Sequence, residues 1–450
     1  MRAPHQECRF PDEKGRAVQR NRLPRIAAAL AALLLTAACG GDKQPAEATL
    51  RRAPKGDRVF ITFGGLPPEE LKGKGADFVA AYKAKFGSTP EGYAIYGYVA
   101  AQVAIDALRR TGRADREALR VAVSETEQID GPLGSWRFTT DGDTTLTTMS
   151  GNTVRDGKFA FVTVLGGGAA AGSGARAKTD LATIGDPAAP KTGPVKFVSS
   201  LPLTGSASAQ SGTIVNGIRL ALEETGGKIG DFSVAYESWD DASAKKGDWD
   251  PEVEAQNADR AAKDPSIHFY LGTYNSGAAK IAMPILNQAN LVMISPANTY
   301  TGLTKPGLGE PNEPGVYRPT GKVNYHRVVP ADDIQGKVGA EWMKAMGAKR
   351  VYVLDDRGLY GKGIADVFVA TAEELGLTVV GREGTDPKAQ EYRSLMTKIK
   401  AAKPDFVYFG GTTQTNAGQI SKDMVAVGLD AKLMLPDGCF EQAFISAAGL

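Results

Sequence analysis

The sequence predicts an α/β protein built as two doubly wound lobes joined by a hinge. From Val195 onward, short runs rich in β-branched residues alternate with longer amphipathic runs, which indicates parallel sheets with helices on both faces. The alternation is interrupted between Asn298 and Val329 by a Gly/Pro-rich stretch, and we place the boundary between the lobes there. The length of 450 residues supports this division, because a single hydrophobic core rarely grows beyond ~250–300 residues.

The predicted elements of this part of the chain follow one another in regular order. The strands are short apolar runs, and the helices between them carry apolar residues at helical spacing. The predicted strands cover residues 195–201, 232–238, 267–273, 291–295, 350–355, 377–381, 406–411 and 432–436. The predicted helices cover residues 213–227, 276–290, 334–348, 362–376 and 419–428.

The first part of the chain has a different order of elements. Residues 59–63 form a predicted strand, and three predicted helices follow at residues 75–86, 92–110 and 116–124. Gly87 closes the first of these helices, since glycine readily adopts the left-handed conformation of a helix end. The later runs GPLGSWRFTTDGD and GKFAFVTVL predict a turn and a β-ribbon.

A targeting segment is predicted at the N-terminus. The apolar run from Ile26 to Ala38 follows a basic cluster, as in a signal peptide, and it is too short to span a bilayer. It ends in Leu-Thr-Ala-Ala-Cys-Gly, which resembles the lipobox of bacterial lipoproteins, so Cys39 is the predicted site of lipidation. Ordinary signal cleavage after Ala38, with Cys39 left free, is the alternative.

The balance of charges excludes one class of protein. The 53 Lys and Arg residues face 51 Asp and Glu residues, which leaves no large basic surface of the kind that nucleic-acid binding requires. Residues 1–38 hold seven of the basic and three of the acidic residues, so the rest of the chain has a net charge of −2. We therefore expect no nucleic-acid partner.

The sequence gives little support for catalysis. His268 and His326 form no paired or HExxH arrangement, and Gly361-Lys362-Gly363 lacks the third glycine of a dinucleotide fingerprint. The pair Asp355–Asp356 at a strand end has the chemistry to hold a divalent cation, but a solvated strand terminus is the favoured interpretation. We expect no enzymatic activity, no cofactor and no metal site, and no intramolecular disulfide for Cys439.

Polar residues directly after predicted strands are the candidate binding groups. In open α/β sheets, small ligands bind beyond the carboxyl ends of the strands. One of these residues opens a helix, so its hydroxyl and the neighbouring N–H groups are suited to an anion. Structural roles as a helix cap, a turn former or a packing residue are the alternative for several of them. The candidates are Ser276, Thr299, Tyr360, Thr412 and Asp437.

In these stretches the sequence resembles the periplasmic leucine/isoleucine/valine-binding proteins of ABC transporters, which have the type I periplasmic binding fold. The resemblance covers residues 195–450 and lies in the runs SLPLTGSASAQSGTIVNGIRLALEE, YLGTYNSGAA, LVMISPANT, VYVLDDRGLYGKGIADVF, PDFVYFGG and LMLPDG. It implies a two-lobed protein that closes around an amino acid.

The resemblance also implies roles for single residues. Ser276 and Thr299, with their backbone N–H groups, would hold the α-carboxylate of the ligand. The Ala297 carbonyl and the Asp437 carboxylate would take the α-ammonium, and Tyr360 would cap the ligand from the second lobe. Closure would then depend on a ligand that carries both charges.

Three positions bear on the ligand's side chain. Thr412 and Ser211 stand where relatives often have an aromatic residue, so we expect a wider or more polar pocket. Tyr93 matches an aromatic residue that lines the ligand's side chain in the family.

The order of the segments departs from the family. Residues 57–165 resemble its C-terminal third, yet they precede the part that resembles its first third. The chain therefore looks circularly permuted, with residues 166–194 joining the old ends. A flexible segment of this length, ~29 residues, has an expected span of about 30 Å. A rearranged or misassembled gene is the alternative origin, and either origin allows the same fold.

Together these observations predict an extracytoplasmic, lipid-anchored, monomeric binding protein. It would capture an amino acid, branched-chain or similar, and deliver it to the permease subunits of an ABC importer, with the lipid as its only membrane contact. A ligand sensor of the same fold that signals to a partner receptor is the alternative. The expected segments are a lipoprotein signal peptide (1–38), a tether (39–56), the family's C-terminal third contributing to both lobes (57–165), a Gly/Ala-rich linker (166–194), the first-lobe core (195–328) and the second-lobe core (329–450).

Overall fold

Two β-sheets of mainly parallel strands, each covered by helices, form the body of the protein. The computed structural model describes residues 57–167 and 178–450. The predicted signal peptide, Cys39 and the tether lie outside the described residues, as do residues 168–177 of the predicted linker.

Strands and helices alternate along the chain as the hydrophobic pattern predicts. The strands are β1 (Val59–Gly64), β2 (Glu127–Gly131), β3 (Gly134–Arg137), β4 (Thr148–Arg155), β5 (Lys158–Gly166), β6 (Gly193–Leu201), β7 (Lys228–Ile229), β8 (Phe232–Asp240), β9 (Ala242–Ser243), β10 (Asp248–Trp249), β11 (Ile267–Gly272), β12 (Val292–Ser295), β13 (Tyr325–Arg327), β14 (Arg350–Asp355), β15 (Thr378–Gly384), β16 (Phe406–Gly410) and β17 (Lys432–Leu435). The helices are α1 (Lys74–Phe86), α2 (Ala94–Thr111), α3 (Arg116–Ser124), α4 (Ser208–Glu223), α5 (Pro251–Lys263), α6 (Ser276–Gln288), α7 (Asp332–Ala345), α8 (Leu359–Glu374), α9 (Arg393–Ala402), α10 (Ala417–Ala426) and α11 (Gln442–Ala448).

The first-lobe sheet has the strand order β13-β12-β11-β6-β8-β7, and its neighbours are parallel except for the β7–β8 pair. Every residue of β11 is buried, as expected for a parallel sheet that is covered on both faces. Strand β13 was not predicted, because it has only 3 residues and lies within the Gly/Pro-rich stretch.

The second-lobe sheet has the strand order β15-β14-β16-β17-β1-β4-β5. Strands β15 to β1 in this order are parallel, whereas β4 and β5 form the predicted antiparallel ribbon. β1 pairs with β17 in a register that places Val59 opposite Leu433. The first described strand therefore lies beside the last strand of the chain.

Residues 57–165 contribute elements to both lobes. Their strands β1, β4 and β5 belong to the second-lobe sheet, whereas α2 packs against α4 of the first lobe. Gly97 permits the close approach of these helices, because a Cβ at this position would lie 2.5 Å from the carbonyl oxygen of Ile214. A larger residue at Gly97 would push the helices apart.

A buried ion pair lies where the chain passes between the lobes. Arg327, at the end of β13, is fully buried, and its Nε lies 2.7 Å from Oδ1 of Asp143. The backbone N–H of Arg327 also donates to the carbonyl oxygen of Gly142 at 3.0 Å. Removing one partner of a buried ion pair typically costs about 3–5 kcal/mol. This contact therefore holds the segment before β4 against the end of β13.

The described part of the predicted linker lies against the first lobe. The buried guanidinium of Arg113 donates to three backbone carbonyl oxygens between residues 181 and 184. The carboxylate of Asp115 accepts a hydrogen bond from the N–H of Asp186 at 3.2 Å. Residues 181–186 are thus held by side chains near the start of α3, whereas the sequence predicted a flexible segment throughout.

Candidate functional site

A cavity of about 210 Å³ lies between the lobes, at the carboxyl ends of the parallel strands. The loops after β11 and β12 supply its first-lobe wall together with β10, and the loops after β14, β16 and β17 supply most of its second-lobe wall. The described residues that line it are Tyr93, Asp248, Trp249, Tyr274, Asn275, Ser276, Gly277, Ala297, Thr299, Asp356, Gly358, Leu359, Tyr360, Gly361, Pro387, Thr412, Thr415, Asp437 and Gly438.

The first-lobe wall offers hydrogen-bond donors at the start of α6. Ser276 is the first residue of this helix, and the first N–H groups of a helix have no acceptor within the helix. The Ser276 hydroxyl accepts a hydrogen bond from the N–H of Tyr300 at 3.3 Å, which places the helix start beside the loop that carries Ala297 and Thr299. This wall favours a carboxylate, because a helix N-terminus is the positive end of the helix dipole.

The second-lobe wall presents a buried carboxylate. Asp437 follows β17 and is 1% exposed, and burial raises the pKa of its carboxyl group. The phenol hydroxyls of Tyr93 and Tyr360 donate hydrogen bonds to its two oxygens. Burial, and after it the charge of Asp437, raises the pKa of both tyrosines well above the usual range, so both remain protonated donors.

A second buried carboxyl group lies close to Asp437. Asp332 begins α7, and burial followed by the charge of Asp437 raises its pKa well above the usual range. The backbone N–H of Asp332 donates to the carbonyl oxygen of Thr299 at 2.9 Å. The charge of Arg327 acts on Asp332, whereas the described residues that line the cavity include no basic side chain to pair with Asp437, so Asp437 is suited to a cation.

Comparison with known proteins identifies the family of the chain. A family model described as periplasmic binding protein matches residues 31–158 and 194–449. The chain belongs to the periplasmic binding protein family. The resemblance drawn from the sequence and the two-lobed α/β fold are thereby confirmed. The family consists of extracytoplasmic solute-binding proteins, which are typically not enzymes.

Curated members of the family are similar to parts of the chain. The Leu/Ile/Val-binding protein BraC3 of Rhizobium johnstonii is 31% identical over 247 residues, which make up 54% of this chain and 61% of that protein. An amino acid binding protein of Pseudomonas aeruginosa is 29% identical over 201 residues, or 44% of this chain and 50% of that protein. The chain thus spans less than two thirds of the length of these relatives.

Solved structures of the family are also similar. The leucine-binding protein LivK of Thermotoga maritima gives a TM-score of 0.49 at 25% identity, covering 57% of this chain and 67% of that chain. LivJ of Streptococcus pneumoniae in complex with isoleucine gives 0.48 at 22% identity, covering 56% of this chain and 67% of that chain.

The structure of this family member brings all but one of the predicted site residues to the cavity. The lining includes Ser276, Ala297, Thr299, Tyr360, Thr412, Asp437 and Tyr93. Ser211 is the exception: it is buried on α4, and its hydroxyl has no hydrogen-bond partner among the described residues. Ser211 is enclosed in the first lobe because α4 packs against α2 there.

The hydroxyl groups of two lining residues form hydrogen bonds within the protein. Tyr93, expected beside the ligand's side chain, uses its hydroxyl to hold Asp437. Thr412 accepts a hydrogen bond from the N–H of Thr415 at 3.3 Å and thereby caps the 3₁₀ helix Thr413–Thr415. The hydroxyl of Thr412 is therefore part of the scaffold of the loop after β16.

Other lining residues were not predicted. Tyr274 and Asn275 directly precede Ser276, so their position after β11 was the available signal. Asp248 and Trp249 form the short strand β10, and folding alone brings this segment to the cavity. Nothing in the sequence pattern near residue 248 distinguishes it from an ordinary surface loop.

Asp356 contradicts the prediction of a solvated strand end. It is 7% exposed and lines the cavity. Its Oδ1 accepts a hydrogen bond from the N–H of Gly358 at 2.8 Å, and burial raises its pKa to about 6. The prediction was wrong because the turn that opens α8 and the loop after β16 enclose the end of β14.

Metal-binding clusters and membrane-spanning helices were also considered for the described residues. Within residues 57–167 and 178–450, no group of three or more His, Cys, Asp or Glu side chains is arranged to hold a metal ion. None of the helices in this part of the chain has the length and apolar character needed to cross a bilayer. The thiol of Cys439 is free and buried, 3.7 Å from the carbonyl oxygen of Gly411.

Proposed function

We propose that the protein captures an α-amino acid between its lobes and delivers it to an ABC importer. The observation that carries this proposal is the pairing, across one cavity, of a helix N-terminus with a buried carboxylate. The start of α6 at Ser276 suits the ligand's carboxylate, and Asp437 suits its ammonium group. A ligand with only one of these charges would leave the opposite wall unpaired.

Such a ligand would hold the lobes together. Ser276 and Thr299 lie on loops of the first lobe, whereas Tyr360 and Asp437 lie on the second, so one small molecule contacts both. A ligand that makes more contacts in the closed state shifts the population toward that state. The closed shape is then the feature that an importer recognises.

The names of the relatives support an amino-acid ligand. BraC3 is a Leu/Ile/Val-binding protein, and the Pseudomonas aeruginosa relative is an amino acid binding protein. Branched-chain and similar amino acids share the α-ammonium and α-carboxylate groups for which Asp437 and the start of α6 are suited. The proposal for this chain rests on those shared groups.

We also propose that the protein works as a monomer outside the cytoplasm, anchored by a lipid on Cys39, with permease subunits as partners. The apolar run that ends at Ala38 and the Cys that follows it support this location. Labelling of growing cells with a tagged fatty acid tests the anchor. We expect label on the protein and none on the Cys39→Ser variant; equal labelling of both would contradict the proposal.

Calorimetric titration of the purified protein with a panel of L-amino acids tests the binding function. We expect saturable one-to-one binding of at least one amino acid. Asp437→Ala is expected to abolish it while the circular dichroism spectrum stays unchanged. Asp106→Asn, which removes an exposed carboxylate on α2, is the matched control and is expected to bind normally. A folded protein that binds no amino acid would contradict the proposal.

We further propose that the order of the segments is a circular permutation of the family order. The parallel pairing of β1 with β17 supports this, because it places residues 57–64 where the strand after α11 would lie in a regular βα series. A reordered chain, with residues 193–450 followed by residues 57–166, tests it. We expect this chain to fold and to bind the same ligand with similar affinity; an unfolded product would contradict the permutation.

A further inference from the structure

The cavity wall holds more carboxyl groups than the single ammonium group of an ordinary amino acid can pair with. Its described lining includes the carboxyl groups of Asp437, Asp248 and Asp356, and no Lys, Arg or His. A bound α-amino acid places its ammonium against Asp437 and its carboxylate at the start of α6. Asp248 and Asp356 then remain without a counter-charge.

Burial makes these two carboxyl groups costly to ionise. Burial raises the pKa of Asp248, and the Trp249 N–H donates to its Oδ1 at 2.8 Å. Asp356 is held in the same way by the N–H of Gly358. Backbone N–H donors fix the positions of both carboxylates but supply no full positive charge. A cation in the cavity would provide the missing charge.

Two polar atoms of the first-lobe wall lack partners. The Tyr274 hydroxyl and Oδ1 of Asn275 are buried and have no hydrogen-bond partner among the described residues. Tyr274 itself is 7% exposed. Buried polar atoms are nearly always hydrogen-bonded, so unpartnered ones in a cavity wall point to a group that arrives with the ligand. The amide oxygen of Asn275 requires a donor, which a hydrocarbon side chain cannot supply.

Three aromatic residues, Trp249, Tyr274 and Tyr93, also line the cavity. Trp249 adjoins Asp248 in β10, and the rings of Tyr274 and Tyr93 lie 5.9 Å apart, edge to face. Aromatic faces attract cations that are partly desolvated. Carboxylates, an unpaired carbonyl oxygen and aromatic rings together form a surface with the chemistry of a cation site.

We propose that the ligand is an α-amino acid with a basic side chain, whose amine or guanidinium group contacts Asp248, Asp356 and the polar atoms of Tyr274 and Asn275. This inference rests on the proposed amino-acid binding function and narrows its substrate class. The branched-chain ligands named for the relatives would leave Asp248 and Asp356 without a counter-charge and the two polar atoms without a hydrogen-bond partner.

Calorimetric titration of the full chain with L-lysine, L-arginine, L-glutamine and L-leucine tests the inference. We expect lysine or arginine to bind at least tenfold more tightly than leucine, with glutamine in between. Leucine or glutamine binding more tightly than both basic amino acids would overturn the inference and leave the proposed function intact. A folded protein that binds none of the twenty amino acids would overturn both.

Variants locate the selectivity within the cavity. Asp248→Asn and Asp356→Asn keep the shape of the side chain, and each is expected to reduce the lysine-to-leucine affinity ratio at least fivefold. Asp106→Asn, on the outer face of α2, removes the same charge outside the cavity wall and is expected to leave that ratio unchanged. An unchanged ratio in both cavity variants, with normal thermal unfolding, would overturn the assignment of these carboxylates.

Discussion

Two sets of polar groups in the cavity wall differ in how completely the protein satisfies them. At Asp437, in the second-lobe wall, both carboxylate oxygens accept hydrogen bonds from tyrosine hydroxyls. At Tyr274 and Asn275, in the first-lobe wall, a hydroxyl and an amide oxygen have no partner among the described residues. Asp437, which suits the ammonium group common to all amino acids, is thus held in position before the ligand binds. The unpaired atoms of Tyr274 and Asn275 have the chemistry to discriminate among ligand side chains.

Removal of the positioned carboxylate should have the largest effect. We expect Asp437→Asn to weaken binding of every amino acid at least ~30-fold, because truncating one partner of a buried charge pair costs about 2–5 kcal/mol. Calorimetry measures this loss. Thermal unfolding of the unliganded variant serves as the control and should show a cooperative transition, which establishes that the variant is folded. Retention of normal affinity would show that the ammonium binds elsewhere.

The cost of burying the Asp356 carboxylate should appear as a dependence of stability on pH. Asp356 has a pKa of about 6 in the folded protein and ~3.9 in an unfolded chain. The folded state therefore binds the proton more tightly, and its stability decreases as the pH rises from about 4 through 6. For this group the full decrease is about 3 kcal/mol.

Comparison with Asp356→Asn isolates that contribution. Urea unfolding of both proteins between pH 4 and pH 7 should show the wild-type free energy of unfolding falling more steeply than that of the variant. Parallel pH profiles would contradict the burial of an ionisable carboxyl at this position.

A smaller effect is expected for the tyrosine that supports Asp437 from the second lobe. Tyr360→Phe removes one hydrogen bond to a charged group, worth about 1.5–3 kcal/mol. We expect affinities for lysine, glutamine and leucine to fall by a similar factor, because Asp437 is proposed to bind the ammonium group that all three share. A loss confined to one ligand would show that Tyr360 acts on the ligand's side chain instead.

The smallest effect on binding is expected at Thr412. Its hydroxyl caps the 3₁₀ helix Thr413–Thr415, so Thr412→Ala should reduce stability by about 1 kcal/mol. Chemical unfolding measures this change, and Thr412→Ser is the control that keeps the cap. A loss of affinity greater than tenfold with unchanged stability would show that the hydroxyl contacts the ligand.

The sequence predicted those site residues that follow the carboxyl ends of parallel strands, where ligands of α/β proteins generally bind. Ser276, Thr299 and Asp437 come directly after buried strands, and parallel strands bring their carboxyl ends to one edge. Asp248 comes from a two-residue strand whose position depends on the whole first lobe. Asp356 was expected to be solvated, because the sequence does not reveal which turns cover a strand end.

Element prediction had a similar limit. The long apolar strands β6, β11, β14 and β16 are evident from composition. Helix α5 was not predicted, because its buried face consists of Glu254, Ala258 and Ala261 and gives little hydrophobic contrast. Two of these residues are alanines, so the hydrophobic periodicity of the segment is too weak to predict the helix from sequence.

The pairing of β1 with β17 has a consequence for the order of events during folding. Val59 lies opposite Leu433, so the residues between these two positions are synthesised after β1 and before its partner strand β17. Contacts of such wide sequence separation form slowly, since the entropy of closing the loop is lost before the contact forms. Chains truncated before residue 432 should remain sensitive to proteases in residues 57–64. The second lobe can therefore complete its sheet only after β17 has been synthesised, so β1 has an unpaired edge while the intervening residues are being made.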